Sequence, residues 1–268
     1  MIVCVIASQG AGSNYKTFKN SARPVLLRAT IASLIGGVVP PNIICVSYND
    51  NTDAGALAYE ETAQMFVNRP GVIFLKQAEP QTQFQHIRHC IRHVCENVKL
   101  ADDVHVLFMD DDDLLGKDVL QMFTKWYAGY TRKPVPTSHI SDYVRTYFAG
   151  KGNDAENPVV EEPTDIATLA SSMTCRPYYW KTNRVVFQNP DLHIWHREDH
   201  CDFPGTIVPL PIVIVMLAHL NWYSSAVADT VFTTCVPGII KHSGIGDIVE
   251  SMWYEDCVSP NTRLAYRE

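Results

Sequence analysis

An α/β fold, with a mostly parallel central sheet and helices on both faces, is what the first half of the chain dictates. Short β-branched runs recur at Ile2–Ala7, Ile43–Ser47, Val72–Leu75 and Val104–Met109. Each is too short for a helix, and their near-continuous apolarity suits strands covered on both faces. The segments between them carry apolar residues at helical spacing. A strand–helix alternation of this kind closes through right-handed crossovers between parallel strands.

The first helix is predicted from Pro24 to Leu34, because proline suits a first helical turn and Gly36-Gly37 stops the run. The second spans Ala54 to Val67 and ends at the turn cluster Asn68-Arg69-Pro70-Gly71. In the third, Phe84, Ile87, Ile91, Val94 and Val98 recur at three- and four-residue steps and form one apolar stripe. That segment also carries His86, Arg88, His89, Arg92 and His93. His89 and His93 have the spacing of two zinc ligands, but no third ligand is evident, and a polar helix face is the simpler reading. A fourth helix follows Gly116, with Val119, Leu120, Phe123 and Tyr127 on one face.

The second half is less regular. Ser138–Phe148 and Arg184–Phe187 read as strands, and Ile239–His242 reads as a late strand ending at Ser243-Gly244. The acidic, proline-containing stretch 151–164 reads as a loop. The apolar run Ile207–Leu220 is interrupted by Pro209 and Pro211. It falls short of the roughly 20 residues a span needs, so it reads as core and no transmembrane segment is expected. The 268 residues read as a single domain in two halves, 1–115 and 116–268.

Composition narrows the function classes. At 46% hydrophobic and 19% charged residues, a substantial core is possible. The net charge of −7 gives no basic footprint, which argues against nucleic acid or an anionic membrane as the main partner. Eight cysteines without a CxxC pair, and an N-terminus without a basic leader, predict reduced thiols and a cytoplasmic location. The glycine-rich Ser8–Ser13 lacks both the lysine-serine ending of a P-loop and the GxGxxG spacing.

Ligands of such sheets bind beyond the carboxyl ends of the strands. One of those ends is Asp110-Asp111-Asp112-Asp113, directly after the apolar Val106–Met109. Four adjacent carboxylates repel one another and cannot all stay ionised in a partly buried place without a proton or a cation. Hard divalent cations take oxygen ligands, and Mg²⁺ or Mn²⁺ commonly bridges a carboxylate and substrate phosphates. Alternation along an extended strand would put Asp110 and Asp112 on one side, Asp111 and Asp113 on the other. The plainer alternative is a solvated acidic turn that caps the next helix.

The segment Val106–Leu115 resembles the Asp-x-Asp signature of GT-A fold glycosyltransferases, particularly the inverting family 2 type. The resemblance implies that Asp110 lies near the nucleotide ribose and Asp112 holds the metal, with the register among the four aspartates open by one, so that Asp111 or Asp113 takes a share. Ile2–Ser8, including Ala7 and Ser8, looks like the first nucleotide-binding strand. Tyr48–Asp53 looks like the second, where Asp50 or Asp53 would recognise the base. Trp195–Phe203 is similar to the segment that carries the catalytic base. Asp199 takes that place, with Glu198 as a substitute. The base would accept the proton of the acceptor hydroxyl as it attacks the anomeric carbon. His242 resembles a late histidine that meets the metal, and Arg88 is a candidate for neutralising the diphosphate. Trp180 and Trp195 are candidates for stacking on the acceptor.

These features imply a transferase using a nucleotide-diphosphate sugar, a UDP-sugar favoured, with Mn²⁺ or Mg²⁺ as cofactor. A glycan or other hydroxyl compound would be the acceptor. A non-catalytic nucleotide- or carbohydrate-binding module with a structural cation is the alternative from a different class. An Asp-nucleophile phosphatase fits less well, because Leu114 stands where a Thr or Val is wanted. A nucleotidyltransferase is nearer, but no basic residue stands in the expected glycine-rich loop after the first strand.

Overall fold

The structure is a computed structural model that describes residues 1–9, 19–50, 52–101, 103–149, 165–182, 184–188, 194–195, 203–219 and 231–251. The four expected strands are present as β1 (Ile2–Gln9), β2 (Ile43–Asn49), β3 (Val72–Lys76) and β4 (His105–Asp110). Each extends past its apolar run into polar residues at the carboxyl end. The helices between them are α1 (Lys19–Ile35), α2 (Asp53–Phe66) and α3 (Gln83–Asn97). There follow β5 (Asp113–Leu115), α4 (Val119–Ala128), β6 (Val135–Pro136), α5 (Thr137–Ala149), β7 (Thr174–Cys175), β8 (Tyr178–Thr182), β9 (Val185–Gln188) and β10 (Ile194–Trp195). The described chain closes with β11 (Thr206–Pro209), α6 (Leu210–His219), α7 (Val236–Ser243) and β12 (Asp247–Ser251).

Seven strands form one sheet in the order β12-β8-β11-β4-β1-β2-β3. Only β11 runs against its neighbours; all other pairs are parallel. The sheet therefore takes strands from both halves of the chain, and the expected α/β class holds. Alternation along the strands divides the core in two. Val3, Val5, Cys45, Val106 and Phe108 pack with α3, α5, α6 and α7. Ile2, Cys4, Ile6, Val46, Leu107 and Met109 pack with α1, α2 and α4. The described cysteines Cys4, Cys45, Cys90, Cys95, Cys175 and Cys235 are free thiols.

Three segments differ from the sequence expectation. Residues 138–148 lie in helix α5, not a strand: Ile140, Val144 and Phe148 are buried at four-residue steps, and that helical stripe outweighs the β-forming Tyr, Val and Thr between them. Residues 239–242 lie in helix α7, whose buried Val236, Ile239 and Ile240 have the same origin. The predicted stop is correct: Gly244 closes α7 in the left-handed conformation, φ 64°, its N–H donating to the Ile240 carbonyl at 2.9 Å. Helix α1 begins at Lys19, five residues before the expected start, so Pro24 lies inside it. Pro24 forgoes the bond to the Asn20 carbonyl, and its ring crowds that carbonyl. The stretch 151–164 lies outside the described residues.

The run predicted as core is core. After β11 it becomes α6, in which every residue from Leu210 to His219 is buried. No helix among the described residues is long and apolar enough to cross a membrane.

Among the buried imidazoles of the described residues, His86 and His105 carry a pH dependence. His86 on α3 meets Ser47 Oγ at 2.9 Å, and His105 on β4 meets the Tyr178 hydroxyl at 2.7 Å. Burial pushes both down to about 4. An unfolded histidine titrates near 6.5, so between about pH 6.5 and 4 the unfolded chain binds the more protons. The expected outcome is a fall of about 2 kcal/mol per histidine in unfolding free energy from pH 7 to pH 5. Urea titrations at the two pH values check it; equal stability would contradict the burial of both rings.

Candidate functional site

Strand β1 lies between β2 and β4. The crossovers β1–β2 and β3–β4 run to opposite sides of it, the arrangement in which open α/β sheets bind ligands beyond the carboxyl ends of their strands. Ala7 and Asp110 are register partners at that edge, with Ser47 beside Ala7 on β2. Asp110 ends β4, the chain turns at Asp111-Asp112, and Asp113 opens β5.

The turn sorts the four carboxylates. Asp110, Asp112 and Asp113 each present an oxygen within 4.8 Å of the others, Asp113 being buried and the other two half-buried. Asp111 is not part of that group and is buried, with 1% of its surface exposed. It forms an ion pair with Arg23 of α1 and accepts a hydrogen bond from Ser8 Oγ. Ser8 Oγ is also 2.6 Å from the Tyr59 hydroxyl of α2. Burial and the Asp111 carboxylate hold the Tyr59 phenol well above its ordinary value, and the same carboxylate holds Arg23 in its charged form. Asp110 and Asp112 share a side, as strand alternation predicts. Asp113 joins them instead of Asp111, because residues 111 and 112 form a turn and break the period of two.

Neighbouring elements fix the backbone of this turn. Thr30 Oγ1 donates to the Asp111 carbonyl at 3.1 Å, and the Gln188 N–H donates to the Asp112 carbonyl at 2.9 Å. Gln188 Nε2 in turn reaches Thr30 Oγ1 at 3.2 Å. Helix α3 supplies the remaining support. Thr82 and Gln85 make a reciprocal capping box at its start, and Gln83 Nε2 donates to Asp110 Oδ1 at 3.1 Å.

The donor set is three carboxylate oxygens. No thiol or imidazole belongs to this group among the described residues. It fits a hard divalent cation such as Mg²⁺ or Mn²⁺, which completes its shell with water or phosphate oxygens, better than a soft metal.

The other expected residues are distributed as follows. Ala7 and Ser8 stand at the end of β1, with Ser8 engaged as above. Asp50 Oδ1 accepts from the Thr52 N–H and hydroxyl, both at 2.8 Å. Its other oxygen rests over the first turn of α2, where a Cβ on Gly55 would come within 2.0 Å of it. Asp53 is exposed as the first residue of α2. Arg88 is half-buried on α3, further along the helix than Gln83. His242 is exposed in the last turn of α7 with its ring 6.0 Å from that of Tyr147, and it is not part of the carboxylate group.

Trp180 corrects the expectation of an acceptor-stacking face. It is 2% exposed on β8, edge-on to Phe123 at 5.5 Å, and so belongs to the core. Trp195 on β10 pairs with Phe187, which pairs with Asp113, so backbone register carries this strand to the acidic turn. Asp199 and Glu198 lie outside the described residues.

Arg23, Tyr59, Gln83 and Gln188 were not singled out from the sequence. Only Gln83 had a local signal, the Thr82-x-x-Gln85 capping pattern. The others reach the site through long-range packing.

No family model matches the sequence, and no curated protein matches it. Among solved structures, one similar fold is a Bacillus anthracis protein named as a glucose-1-phosphate thymidylyltransferase, crystallised with sucrose. Identity is 12%, coverage is 100% of this chain and 96% of that one, and the TM-score is 0.46. Another is 4-diphosphocytidyl-2C-methyl-D-erythritol synthase, at 10% identity, 99% and 94% coverage and a TM-score of 0.45. A third is residues 1–349 of S. aureus TarS in complex with UDP-GlcNAc. That match has 14% identity, covers 51% of this chain and 34% of that one, and has a TM-score of 0.31. At these TM-scores the likeness assigns no chemistry to this chain.

Proposed function

We propose that the chain is a metal-dependent transferase acting on a nucleotide-diphosphate sugar and passing the sugar to a hydroxyl of a glycan or other acceptor. One observation carries the reading. Asp110, Asp112 and Asp113 converge at the ligand edge of the sheet, where β1 and β4 end side by side. A parallel sheet with an acidic run after its central β4 supports the GT-A resemblance of the sequence.

Bound Mn²⁺ or Mg²⁺ would supply Lewis-acid stabilisation of the leaving diphosphate. Asp112, with Asp110 and Asp113, would hold that ion. Gln83 orients Asp110, and the bonds from Thr30 and Gln188 keep the turn from rearranging. Ala7, Ser8, Asp50 and Asp53 border the side where the nucleoside would lie, and Arg88 is the candidate cation for the phosphates. Asp199, with Glu198 as substitute, is the proposed base that removes the acceptor proton. Inversion in one displacement through an oxocarbenium-like transition state then follows. Trp195 is the proposed acceptor contact. A cytoplasmic location remains part of the same reading.

A specific observation favours one second reading, nucleotidyl transfer. Helix α1 brings Arg23 to the acidic turn and so supplies a basic group that the glycine-rich Ser8–Ser13 lacks. The same cation site would then serve attack at phosphorus rather than at the anomeric carbon. The products tell the two apart: a nucleoside diphosphate from sugar transfer, pyrophosphate from nucleotidyl transfer.

Thermal unfolding with a panel of nucleotide sugars, with and without Mn²⁺, is expected to pick out a cognate donor that stabilises only when the metal is present. No stabilisation by any donor would contradict the reading. Asp112→Asn is expected to abolish the Mn²⁺-dependent shift. Asp199→Asn is expected to keep donor binding and to lower turnover at least a hundredfold. Unchanged turnover would remove Asp199 from the mechanism.

A further inference from the structure

The acidic turn contains a cation of its own. Arg23 and the buried Asp111 form an ion pair, and Asp111 is not one of the three grouped carboxylates Asp110, Asp112 and Asp113. The pair is held from three directions: Ser8 of β1 donates to Asp111, the Tyr59 hydroxyl of α2 meets Ser8, and Thr30 of α1 holds the Asp111 carbonyl. Arg23 also feels Asp112, the next residue along the turn. We propose that Arg23 is an internal counter-cation that neutralises Asp111 and thereby limits how tightly the turn holds a divalent ion. The proposal rests on the reading of Asp110, Asp112 and Asp113 as a cation site.

The electrostatics set the sign. A divalent ion among three carboxylates would gain further from a fourth ionised carboxylate one residue away, because the attraction in a partly buried site is screened far less than in water. Arg23 cancels that gain and repels the ion directly. Three carboxylates already oppose an ion of charge two, so a fourth would make the ion a permanent fixture. With Asp111 silenced, the site can take up its ion together with phosphate oxygens and release it with the product. The role belongs to a positioning residue, since Arg23 acts by neutralising Asp111 and by its charge, without holding the ion or the phosphate itself.

Mn²⁺ titration of the full chain without nucleotide, read by electron paramagnetic resonance or calorimetry, tests this as a double-substitution cycle. Arg23→Met is expected to bind Mn²⁺ at least tenfold more tightly than the unsubstituted chain, and Asp111→Asn at least tenfold more weakly. The Arg23→Met/Asp111→Asn pair is expected to return to within about threefold, and Arg23→Lys to stay there. Mere structural damage would weaken binding in every variant, so tightening in Arg23→Met separates the two. Asp111→Asn retains an acceptor for Ser8 and Arg23, and its weakened binding, followed by recovery in the Arg23→Met/Asp111→Asn pair that structural damage would only deepen, tests the proposal even if Arg23→Met alone fails to fold. Unchanged or weaker Mn²⁺ binding in folded Arg23→Met would overturn the proposal, as would unchanged binding in Asp111→Asn. If Arg23→Met alters only UDP affinity and leaves Mn²⁺ affinity as it was, Arg23 touches phosphate directly and the proposal fails while the cation site stands. No Mn²⁺ binding by the unsubstituted chain overturns both.

Discussion

Repulsion among four consecutive carboxylates at the end of β4 is the constraint around which the ligand edge of this molecule is built. Left extended, the run would set two acids against the core and two against solvent. The turn at Asp111-Asp112 resolves it differently. One acid is neutralised inside the protein by Arg23, and three converge at the crevice. Everything nearby serves that division. Thr30 and Gln188 take the carbonyls of the turn, Ser8 and Tyr59 close over Asp111, and Gln83 steadies Asp110.

The sheet explains why this happens where it does. Strands β1 and β4 are covered on both faces, and their side chains are almost wholly apolar until the last residues. Polar groups therefore collect where the strands emerge, and the reversal of connection at β1 leaves room there for a ligand. Strands β8, β11 and β12 from the second half extend the same sheet, while β9 and β10 pair outward from β5. The acidic turn thus sits at a junction between the seven-stranded sheet and a small three-stranded one.

Much of this was legible in the sequence, for physical reasons that differ from element to element. Strands β1 to β4 announce themselves as short β-branched runs apolar on both faces, and helix α3 by the period that burial imposes on its apolar residues. Helices α5 and α7 did not, because their β-branched and aromatic residues mimic strands over short windows; their four-residue burial rhythm was the better guide. The convergence of Asp110 with Asp112 was legible, because it followed from strand geometry. Recruitment of Asp113 did not follow, since it depends on a turn that local sequence does not specify. The link between Arg23 and Asp111 spans 88 positions and exists only once α1 has docked. Trp180 illustrates the opposite error: an aromatic residue suited to sugars by type is here part of the core by position.

The central claim is that a divalent ion sits among Asp110, Asp112 and Asp113 and anchors a diphosphate. Anomalous scattering at the manganese edge, from crystals grown with Mn²⁺ and UDP, tests it most directly. The account predicts one strong peak bonded to carboxylate oxygens of this group and to diphosphate oxygens. Nucleotide bound at the crevice without a peak there, or a peak held instead by Asp111, would contradict it.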